Sequence, residues 1–389
     1  MPLQQNPLTA SFQQFFESER AGGALLAGCA LLALLVANSP AGEPFLAFWQ
    51  RYAGGLSIEH WVNDGLMAAF FLLVGLELKR ELTNGELSSV RKAMLPVVAA
   101  AGGVAVPAAI HYAFNAGTPT QAGIGIPMAT DIVFALAALG LLGARVPPSL
   151  KVFLAALAVA DDLVAIVVIA VFYTSQLSLP YLGGAAAVLA ALLAMNRVGK
   201  VVALPPYLLG GALLWFCMLQ SGVHATLAGV LLAFVIPASS RADDGHSPSH
   251  RLEHALHKPV TLLIVPVFAL ANAGVVIGAG ALASLATSNS IGIIAGLVLG
   301  KPLGIAALSF AAVTAGLCRL PDDLRWAHIA GAGMLAGIGF TMSIFITNLA
   351  FAGAGETVNA AKMAIVVASC AAAAFGVAWL AWVTARRRS

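Results

Sequence analysis

Long apolar runs alternate with short polar segments along the whole chain. Most runs approach the roughly 20 residues that a helix needs to cross the hydrocarbon core of a bilayer. The pattern predicts an all-α polytopic membrane protein with a single integral membrane domain over residues 1–389. The twelve predicted spans, numbered in chain order, are residues 21–37, 60–77, 93–114, 121–142, 149–174, 178–196, 201–218, 223–237, 257–279, 289–312, 327–349 and 358–385.

Composition and charge support the same class of protein. The chain is 60% hydrophobic and 10% charged, whereas an ordinary soluble domain is about one quarter charged. The formal net charge is only +3, and the basic residues lie in loops rather than along one helical stripe, which argues against nucleic acid as a partner. The predicted partner is the lipid bilayer. The four cysteines are far apart and indicate neither a disulfide framework nor a metal knuckle, and we predict no cofactor.

The Lys and Arg residues are divided unevenly between the two predicted sides of the membrane. Most of the 20 lie in loops on one side, only Arg51 lies on the other, and Lys301 and Lys362 fall inside spans. Loops that carry an excess of Lys and Arg are usually cytoplasmic. Both termini are therefore predicted to be cytoplasmic, which requires an even number of spans.

Four aspartates fall within predicted spans: Asp64, Asp131, Asp161 and Asp162. An ionisable group at the centre of a membrane helix costs about 2.5–3.5 kcal/mol on insertion scales, so each is a functional candidate. Asp161 and Asp162 lie near the middle of span five, close to the bilayer midplane. Consecutive helix positions differ by about 100°, so one carboxylate can face an ion pathway while the other faces a neighbouring helix. The alternative is a buried structural pair, which the mutual repulsion of the carboxylates disfavours.

Lys301 is the expected partner of one of these carboxylates. It occupies the centre of span ten, in "GLVLGKPLGIAAL", and its side chain is too short to reach the membrane interface from there.

Two spans carry signals of an interrupted helix. "GIGIPMATDIVFAL" contains Pro127, which removes a backbone donor just before Asp131. "GAGMLAGIGFTMSIF" contains Gly337, Gly339 and Thr341. For the second segment alone, close packing of glycines explains the sequence equally well.

The predicted topology relates these two segments. Spans four and eleven run in opposite directions, so spans 3–5 and 10–12, approximately residues 93–174 and 289–385, are interpreted as inverted repeats. Paired interrupted helices at corresponding positions of two repeats point to a binding site at the membrane midplane.

Other candidates carry weaker signals. His224 in "SGVHATLAG" suits either a pH response or simple packing, and Asp64 suits either an outer vestibule or a helix end. Charged residues in "VGLELKREL" form the cytoplasmic end of span two. In "RLEHALH", Glu253 and His257 are four residues apart, and His254 and His257 are three apart. Either pair has the spacing of zinc ligands, but a third close ligand is missing.

Taken together, these motifs resemble the NhaA family of bacterial sodium/proton antiporters. The resemblance rests on "VGLELKREL", "ATDIVFAL", "DDLVAIVVIAVFYT", "SGVHATLAG", "RLEHALH", "GKPLGI" and "GIGFTMSIF", and it covers nearly the whole chain. NhaA proteins are themselves a standard example of inverted-repeat transporters, so the repeat assignment is not independent of the resemblance.

The resemblance implies roles for individual residues. Asp162 matches the essential ligand for sodium and protons, and Asp161 its neighbour paired with the lysine matched by Lys301. Thr130 and Asp131 match the crossing of the interrupted helices, where the aspartate balances helix-end charges. Asp64 matches an acidic residue of the outer half. The residues that match the family's pH-responsive positions are Glu77, Arg80, Glu81, His224, Glu253, His254 and His257.

The resemblance also implies the transport reaction. Sodium or lithium leaves the cytoplasm in exchange for external protons, with more protons than sodium ions moved per cycle, in a pH-regulated protein of the bacterial inner membrane. Family members can carry an external β-hairpin that supports a homodimer. Here the connection between spans one and two is short and offers only an Ala53-Gly54-Gly55 turn.

Two other functions were weighed. A sodium-coupled solute symporter would need a site for an organic substrate, and no aromatic or arginine group within the spans suggests one. An intramembrane aspartyl protease using Asp131 and Asp161 would be expected to show a "GxGD" motif, which is not found.

Overall fold

The computed structural model describes residues 7–85, 87–174, 177–238, 247–278 and 280–385, and most of them are helical. The α-helices are α1 Pro7–Ala37, α2 Gly42–Trp49, α3 Ile58–His60, α4 Met67–Thr83, α5 Val90–Asn115, α6 Ile132–Gly140, α7 Pro148–Phe172, α8 Leu179–Arg197, α9 Leu204–Ser221, α10 Leu227–Val235, α11 Pro248–Pro259, α12 Val265–Asn272, α13 Ala281–Leu285, α14 Ser288–Ala295, α15 Lys301–Thr314, α16 Trp326–Ala336, α17 Phe340–Ala350 and α18 Gly355–Ala385.

Three of the long helices contain a wider turn. Single π-helical turns at Trp61–Leu66, Val260–Ile264 and Gly296–Gly300 join α3 to α4, α11 to α12 and α14 to α15. The results are continuous helices over Ile58–Thr83, Pro248–Asn272 and Ser288–Thr314. Such turns often lie at functional positions, and the last of them ends directly before Lys301.

Seven helices in the described part of the chain are long and apolar enough to cross a membrane, and the number rises to ten if each of three bent helix pairs is one span. The protein is therefore an all-α polytopic membrane protein. The count of twelve stays a prediction.

The two predicted spans that are not among these ten are spans seven and eight. The helix found within span eight, α10, has 9 residues, and at 1.5 Å per residue it is roughly half as long as the hydrocarbon core is thick. Gly222 ends α9 in a left-handed conformation, and a turn over His224 follows.

The predicted boundaries of span nine, residues 257–279, are wrong at both ends. The helix begins at Pro248, where the Ser247 hydroxyl accepts a hydrogen bond from a first-turn amide, and it ends at Asn272. "RLEHALH" is therefore helical rather than part of a loop. The polar stretch from Ser239 to His254 predicts a cytoplasmic loop between spans eight and nine, and residues 239–246 of it lie outside the described residues.

The connection between the first two spans forms a minimal β-hairpin. Tyr52–Ala53 pairs antiparallel with Leu56–Ser57. Gly54 and Gly55 both have positive φ, as a tight two-residue hairpin turn requires. The expected turn is therefore present, but each strand has only two residues.

Two helix pairs bend at the positions of predicted spans four and eleven. The segment Pro119–Met128 meets α6 at 42°, and α16 meets α17 at 47°. The first segment is a 3-10 helix. Its end is followed by Ala129 in an extended conformation, which brings Thr130 and Asp131 out of the helix.

The helices α5 and α15 approach each other more closely than side chains would permit. A Cβ atom on Gly102 would lie 2.1 Å from the carbonyl oxygen of Gly304, and the reverse distance is also 2.1 Å. This reciprocal contact joins predicted spans three and ten. It lies beside α7, whose apolar stretch is 72% buried, whereas that of α8 is 11% buried.

Candidate functional site

The two central aspartates lie in the most enclosed part of the helix bundle. Asp161 is 1% exposed and Asp162 is 2% exposed, although α7 offers them no polar neighbour along its own length. Burying carboxyl groups is costly unless they are paired or protonated. The residues that surround them therefore decide what the site can do.

One carboxylate is paired. The Lys301 ammonium donates to Asp161 Oδ2 at 2.5 Å and to Thr130 Oγ1 at 2.8 Å. The Thr130 hydroxyl lies 2.7 Å from the same Asp161 oxygen and 2.9 Å from the carbonyl oxygen of Ala336. Lys301 and Thr130 are both fully buried. The cluster joins α7, the start of α15 and both helix breaks.

The remaining carboxylate oxygens are open. Asp161 Oδ1 and Asp162 Oδ1 are buried and have no hydrogen-bond partner within the described parts of the chain. A buried anionic oxygen without a donor favours a bound proton or a bound cation. The site therefore contains one carboxylate paired with Lys301 and one outside that ion pair, and each of the two has an oxygen with open coordination.

Asp131 binds the amino ends of both short helices that leave the breaks. Its Oδ1 accepts from the Phe134 amide at 3.1 Å, at the first turn of α6. Its Oδ2 accepts from the Thr341 amide at 3.0 Å and the Thr341 hydroxyl at 2.5 Å, at the first turn of α17. Helix amino ends carry partial positive charge, so one buried aspartate balances two of them.

The backbone conformation at the two breaks explains why these residue types occur there. The Asp131 amide donates to the Ile338 carbonyl oxygen at 2.6 Å, because Pro127 and the extended Ala129 carry the chain away from helical pairing. A Cβ atom on Gly337 would lie 2.3 Å from the Leu297 carbonyl oxygen, and one on Gly339 would lie 2.2 Å from Ser343 Oγ. Both glycines are therefore required by close packing at the break itself.

The charged side chains at the two helix breaks lie beside helix ends of opposite partial charge. Lys301 and Thr130 lie beside the carbonyl end of α16, whereas Asp131 lies beside the amide ends of α6 and α17. Each charge faces the helix-end charge of opposite sign. The breaks thus form a preorganised polar centre in an apolar bundle.

The predicted cytoplasmic cluster is partly assembled. Arg80 lies 2.5 Å from Glu253 and 3.1 Å from Glu81, which joins the end of α4 to α11. Glu77 and His257 line a small cavity of about 30 Å³ between the same elements and α6. His254 is exposed on α11. No three His, Cys, Asp or Glu side chains in the described ranges are grouped so that they could hold a metal ion.

Asp64 and His224, which are distant in sequence from each other and from Asp161 and Asp162, lie close enough together to interact. They interact electrostatically. Asp64 lies in the π-helical turn that follows α3. Its backbone carbonyl oxygen accepts a hydrogen bond from the Trp215 ring nitrogen at 2.9 Å. His224 Nε2 lies 2.6 Å from the Tyr173 carbonyl oxygen at the end of α7. The histidine therefore packs against the helix that carries Asp161 and Asp162.

Several polar residues near these sites were missed by sequence reasoning. Ser343 Oγ donates to Ile126 O at 2.7 Å, and Ser369 Oγ accepts from the Phe340 amide at 3.2 Å. Each is a lone hydroxyl in an apolar run, a signal that is common in membrane helices. Lys79 was assigned only to the charged cytoplasmic end of span two, yet its ammonium donates to backbone carbonyl oxygens at the end of α10.

The fold and the site define the class of helical membrane transport proteins, in which a buried, ionisable centre lies at paired helix breaks. Residues 13–380 match the family model described as Na+/H+ antiporter 1. The chain therefore belongs to that family.

Curated relatives match over almost the whole chain. A protein of Dechloromonas aromatica named Na(+)/H(+) antiporter NhaA is 64% identical, over 97% of this chain and 97% of the relative. Proteins of the same name from Cytophaga hutchinsonii and Mesorhizobium japonicum are 53% and 51% identical; they cover 96% and 97% of this chain, and 95% and 96% of their own lengths are matched.

Proposed function

We propose that this protein exchanges cytoplasmic sodium, or lithium, for external protons, and that Asp161 and Asp162 bind the two cargoes in turn. Family membership supports the reaction. The observation that supports the residues is the pair of buried, unpartnered carboxylate oxygens, Asp161 Oδ1 and Asp162 Oδ1, beside the Lys301 contact.

Competition between the cargoes follows from the charge of the site. Lys301 compensates one carboxylate, so about one further positive charge is needed to balance the second in a low-dielectric surrounding. A proton or a sodium ion can supply it, and both together would overcompensate. The two carboxyl groups then titrate as a coupled unit rather than independently.

Oxygen ligands suit a hard cation such as sodium. Asp162 and Asp161 Oδ1 are the candidates with open coordination. The Thr130 hydroxyl is engaged by Lys301 in this arrangement, so it becomes a ligand only when Lys301 moves away. Sodium binding and release of Lys301 are thereby linked.

The coupling requires access from one side at a time. Facing an alkaline cytoplasm, the pair loses protons and takes sodium; facing the more acidic outer side, it exchanges sodium for protons. The proposed architecture has twelve spans, with interrupted spans four and eleven in inverted repeats at about residues 93–174 and 289–385 of one transport domain. Both termini are cytoplasmic, and the lipid surroundings are those of the bacterial inner membrane.

Two regulatory and assembly features belong to the same proposal. Transport is electrogenic, and the cluster of Glu77, Arg80, Glu81, Glu253 and His257 adjusts it to cytoplasmic pH, with His254 at its exposed edge. A homodimer would use the hairpin at Ala53–Leu56 only as a small contact, since its strands have two residues each.

Everted membrane vesicles with a respiration-driven pH gradient test this function. Adding sodium or lithium should collapse the gradient, and Asp162→Asn should abolish the response because it removes the exchangeable charge. Asp322→Asn, the same change in an exposed loop residue, is the matched control and should respond normally. A wild-type protein that leaves the gradient unchanged, or an active Asp162→Asn variant, would refute the proposal.

A further inference from the structure

Lys79 is bound to the carboxyl end of the short helix α10. Its ammonium donates to the carbonyl oxygens of Ala233 at 3.2 Å and Phe234 at 3.1 Å, and it also contacts the Ile236 carbonyl oxygen. Asn196 Nδ2 donates to the Val235 carbonyl oxygen at 2.6 Å. Every carbonyl oxygen from residue 233 to 236 therefore has a side-chain donor from another helix.

We propose that Lys79 is a positioning residue that clamps α10 to α4 while it is charged and releases the carboxyl end of α10 when it loses its proton. A cation at a helix carboxyl end is stabilised by the partial negative charge there. Neutral lysine keeps its length but loses that attraction. The expected effect on transport rests on the proposed antiport function, whereas the contacts of Lys79 with α10 do not depend on it.

The two helices are already packed backbone to backbone. A Cβ atom on Gly229 of α10 would lie 2.2 Å from the Ala68 carbonyl oxygen, and one on Gly75 of α4 would lie 2.7 Å from the Ala233 Cβ. Helices in such contact move together, except where an end can fray. The Lys79 contacts lie at the end of α10, so they decide whether its last turn stays attached to α4.

Burial, and after it a neighbouring cation, disfavour the charged form of Lys79, which makes its ammonium sensitive to pH. Helices α9 and α10 have no charged residue. Helix α8 contributes a cation, Arg197, which interacts electrostatically with Lys79. The groups that Lys79 contacts in the described residues are backbone carbonyls, and no carboxylate among those residues forms an ion pair with it.

Two nearby acidic side chains form ion pairs with Arg80. On α11, Glu253 pairs with Arg80, and on α4 itself Glu81 does the same, while Glu77 and His257 line the cavity on another face. Lys79 and Arg80 thus attach the same end of α4 to two different elements, α10 and α11. Losing the charge of Lys79 frees the first attachment and leaves the second intact.

The position of α10 gives this release a consequence for transport. The turn that leads into α10 contains His224, whose ring contacts the end of α7, the helix of Asp161 and Asp162. When the last turn of α10 detaches, the end of α4 that carries Lys79 loses one attachment and can shift relative to α7, which α4 also contacts. We therefore expect the clamp to set the cytoplasmic pH at which exchange begins.

Two substitutions separate charge from length. Lys79→Arg stays charged throughout the accessible pH range, and Lys79→Met keeps an unbranched side chain without charge. Lys200→Met, at an exposed lysine, is the matched control. In vesicles, we expect Lys79→Arg to move the activation midpoint upward by about one pH unit or more, because its charge cannot be removed. Lys79→Met should move it downward, and both should leave the sodium KM at optimal pH unchanged.

A second measurement is independent of transport. Amide hydrogen exchange in purified protein, corrected for intrinsic rates, reports opening of residues 233–236. At pH 7, Lys79→Met should speed exchange there by roughly five- to tenfold, the effect expected for loss of a charged helix cap. Lys79→Arg should protect these residues more than wild type at pH 9.

The two readouts distinguish the clamp from the antiport proposal. Wild-type vesicles without exchange would refute the antiport function, and hydrogen exchange would still decide whether Lys79 holds α10. The clamp is refuted if residues 233–236 exchange alike in wild type and Lys79→Met. Its role in transport is refuted if both variants keep the wild-type activation midpoint, or if Lys200→Met shifts it equally.

Discussion

Among the residues that the structure describes, two ion pairs have equal length but very different surroundings. Lys301 and Asp161 lie 2.5 Å apart with both side chains 0% exposed, whereas Arg80 and Glu253 lie 2.5 Å apart with side chains 46% and 11% exposed. A distance alone therefore says little about what a pair contributes. Water screens the Arg80–Glu253 pair and can replace the hydrogen bonds of either partner. In the buried Lys301–Asp161 pair, a partner that is removed leaves the other charge uncompensated.

The difference suits two different tasks. In the buried pair, charge must be balanced at every step, so any movement of Lys301 requires another cation at the aspartates. In the exposed pair, protonation or salt changes the attraction between α4 and α11 at little cost. Under the proposed mechanism, the first arrangement couples the two transported ions to each other, and the second adjusts the contact between α4 and α11 to pH and salt.

The largest expected effect is removal of the buried partner. Lys301→Met leaves Asp161 buried without its cation, and we expect a loss of about 3–5 kcal/mol in stability. Thermal unfolding in detergent would measure it. The double variant Lys301→Met with Asp161→Asn removes both charges and should recover most of the loss. A double variant as unstable as the single one would contradict the comparison.

A smaller loss is expected at the helix breaks. Asp131→Ala removes the acceptor shared by the first turns of α6 and α17, and a lost amino-end cap typically costs about 1–2 kcal/mol. Asp131→Asn keeps an acceptor but not the charge, so its stability should lie between those of wild type and Asp131→Ala. Equal melting temperatures for Asp131→Ala and wild type would show that the cap is not needed.

The smallest effect on stability is expected at the exposed pair. Glu253→Gln should cost less than about 1 kcal/mol, and raising the salt concentration should reduce the difference further. We expect its main effect in the pH profile of exchange, because the contact between α4 and α11 loses its charge. His254→Gln, at an exposed position on the same helix, is the control. A destabilisation as large as that of Lys301→Met would remove the distinction between the two pairs.

The parts of the molecule that could be predicted from sequence are those governed by local physics. The membrane class follows from apolar runs, and the family follows from motifs such as "DDLVAIVVIAVFYT"; both are confirmed. The chain bends by 42° near Asp131, where proline, which cannot donate a backbone hydrogen bond, led us to predict an interrupted span; the interruption itself stays a prediction. The residue roles and the count of twelve spans remain predictions.

Boundaries and partners were harder to predict. Span nine was predicted to begin at residue 257 because "SPSHRLEH" is polar, but amphipathic helix α11 begins at Pro248 on a serine cap. The role of Lys79 was hidden because its acceptors are backbone carbonyls about 155 residues away, and carbonyls leave no trace in side-chain patterns.

Asp161 and Asp162 illustrate the division most clearly. The sequence alone determined that two carboxyl groups lie in the middle of an apolar helix, because their cost in a bilayer makes such residues conspicuous. From the residues alone either carboxylate could pair with Lys301, and the resemblance to the family implied Asp161. Only the tertiary structure shows that Asp161 contacts both Lys301 and Thr130, and that each aspartate keeps one buried oxygen without a hydrogen-bond partner in the described residues. Pairing depends on which distant helices meet, and close contacts between glycine backbones on α5 and α15 set that meeting point.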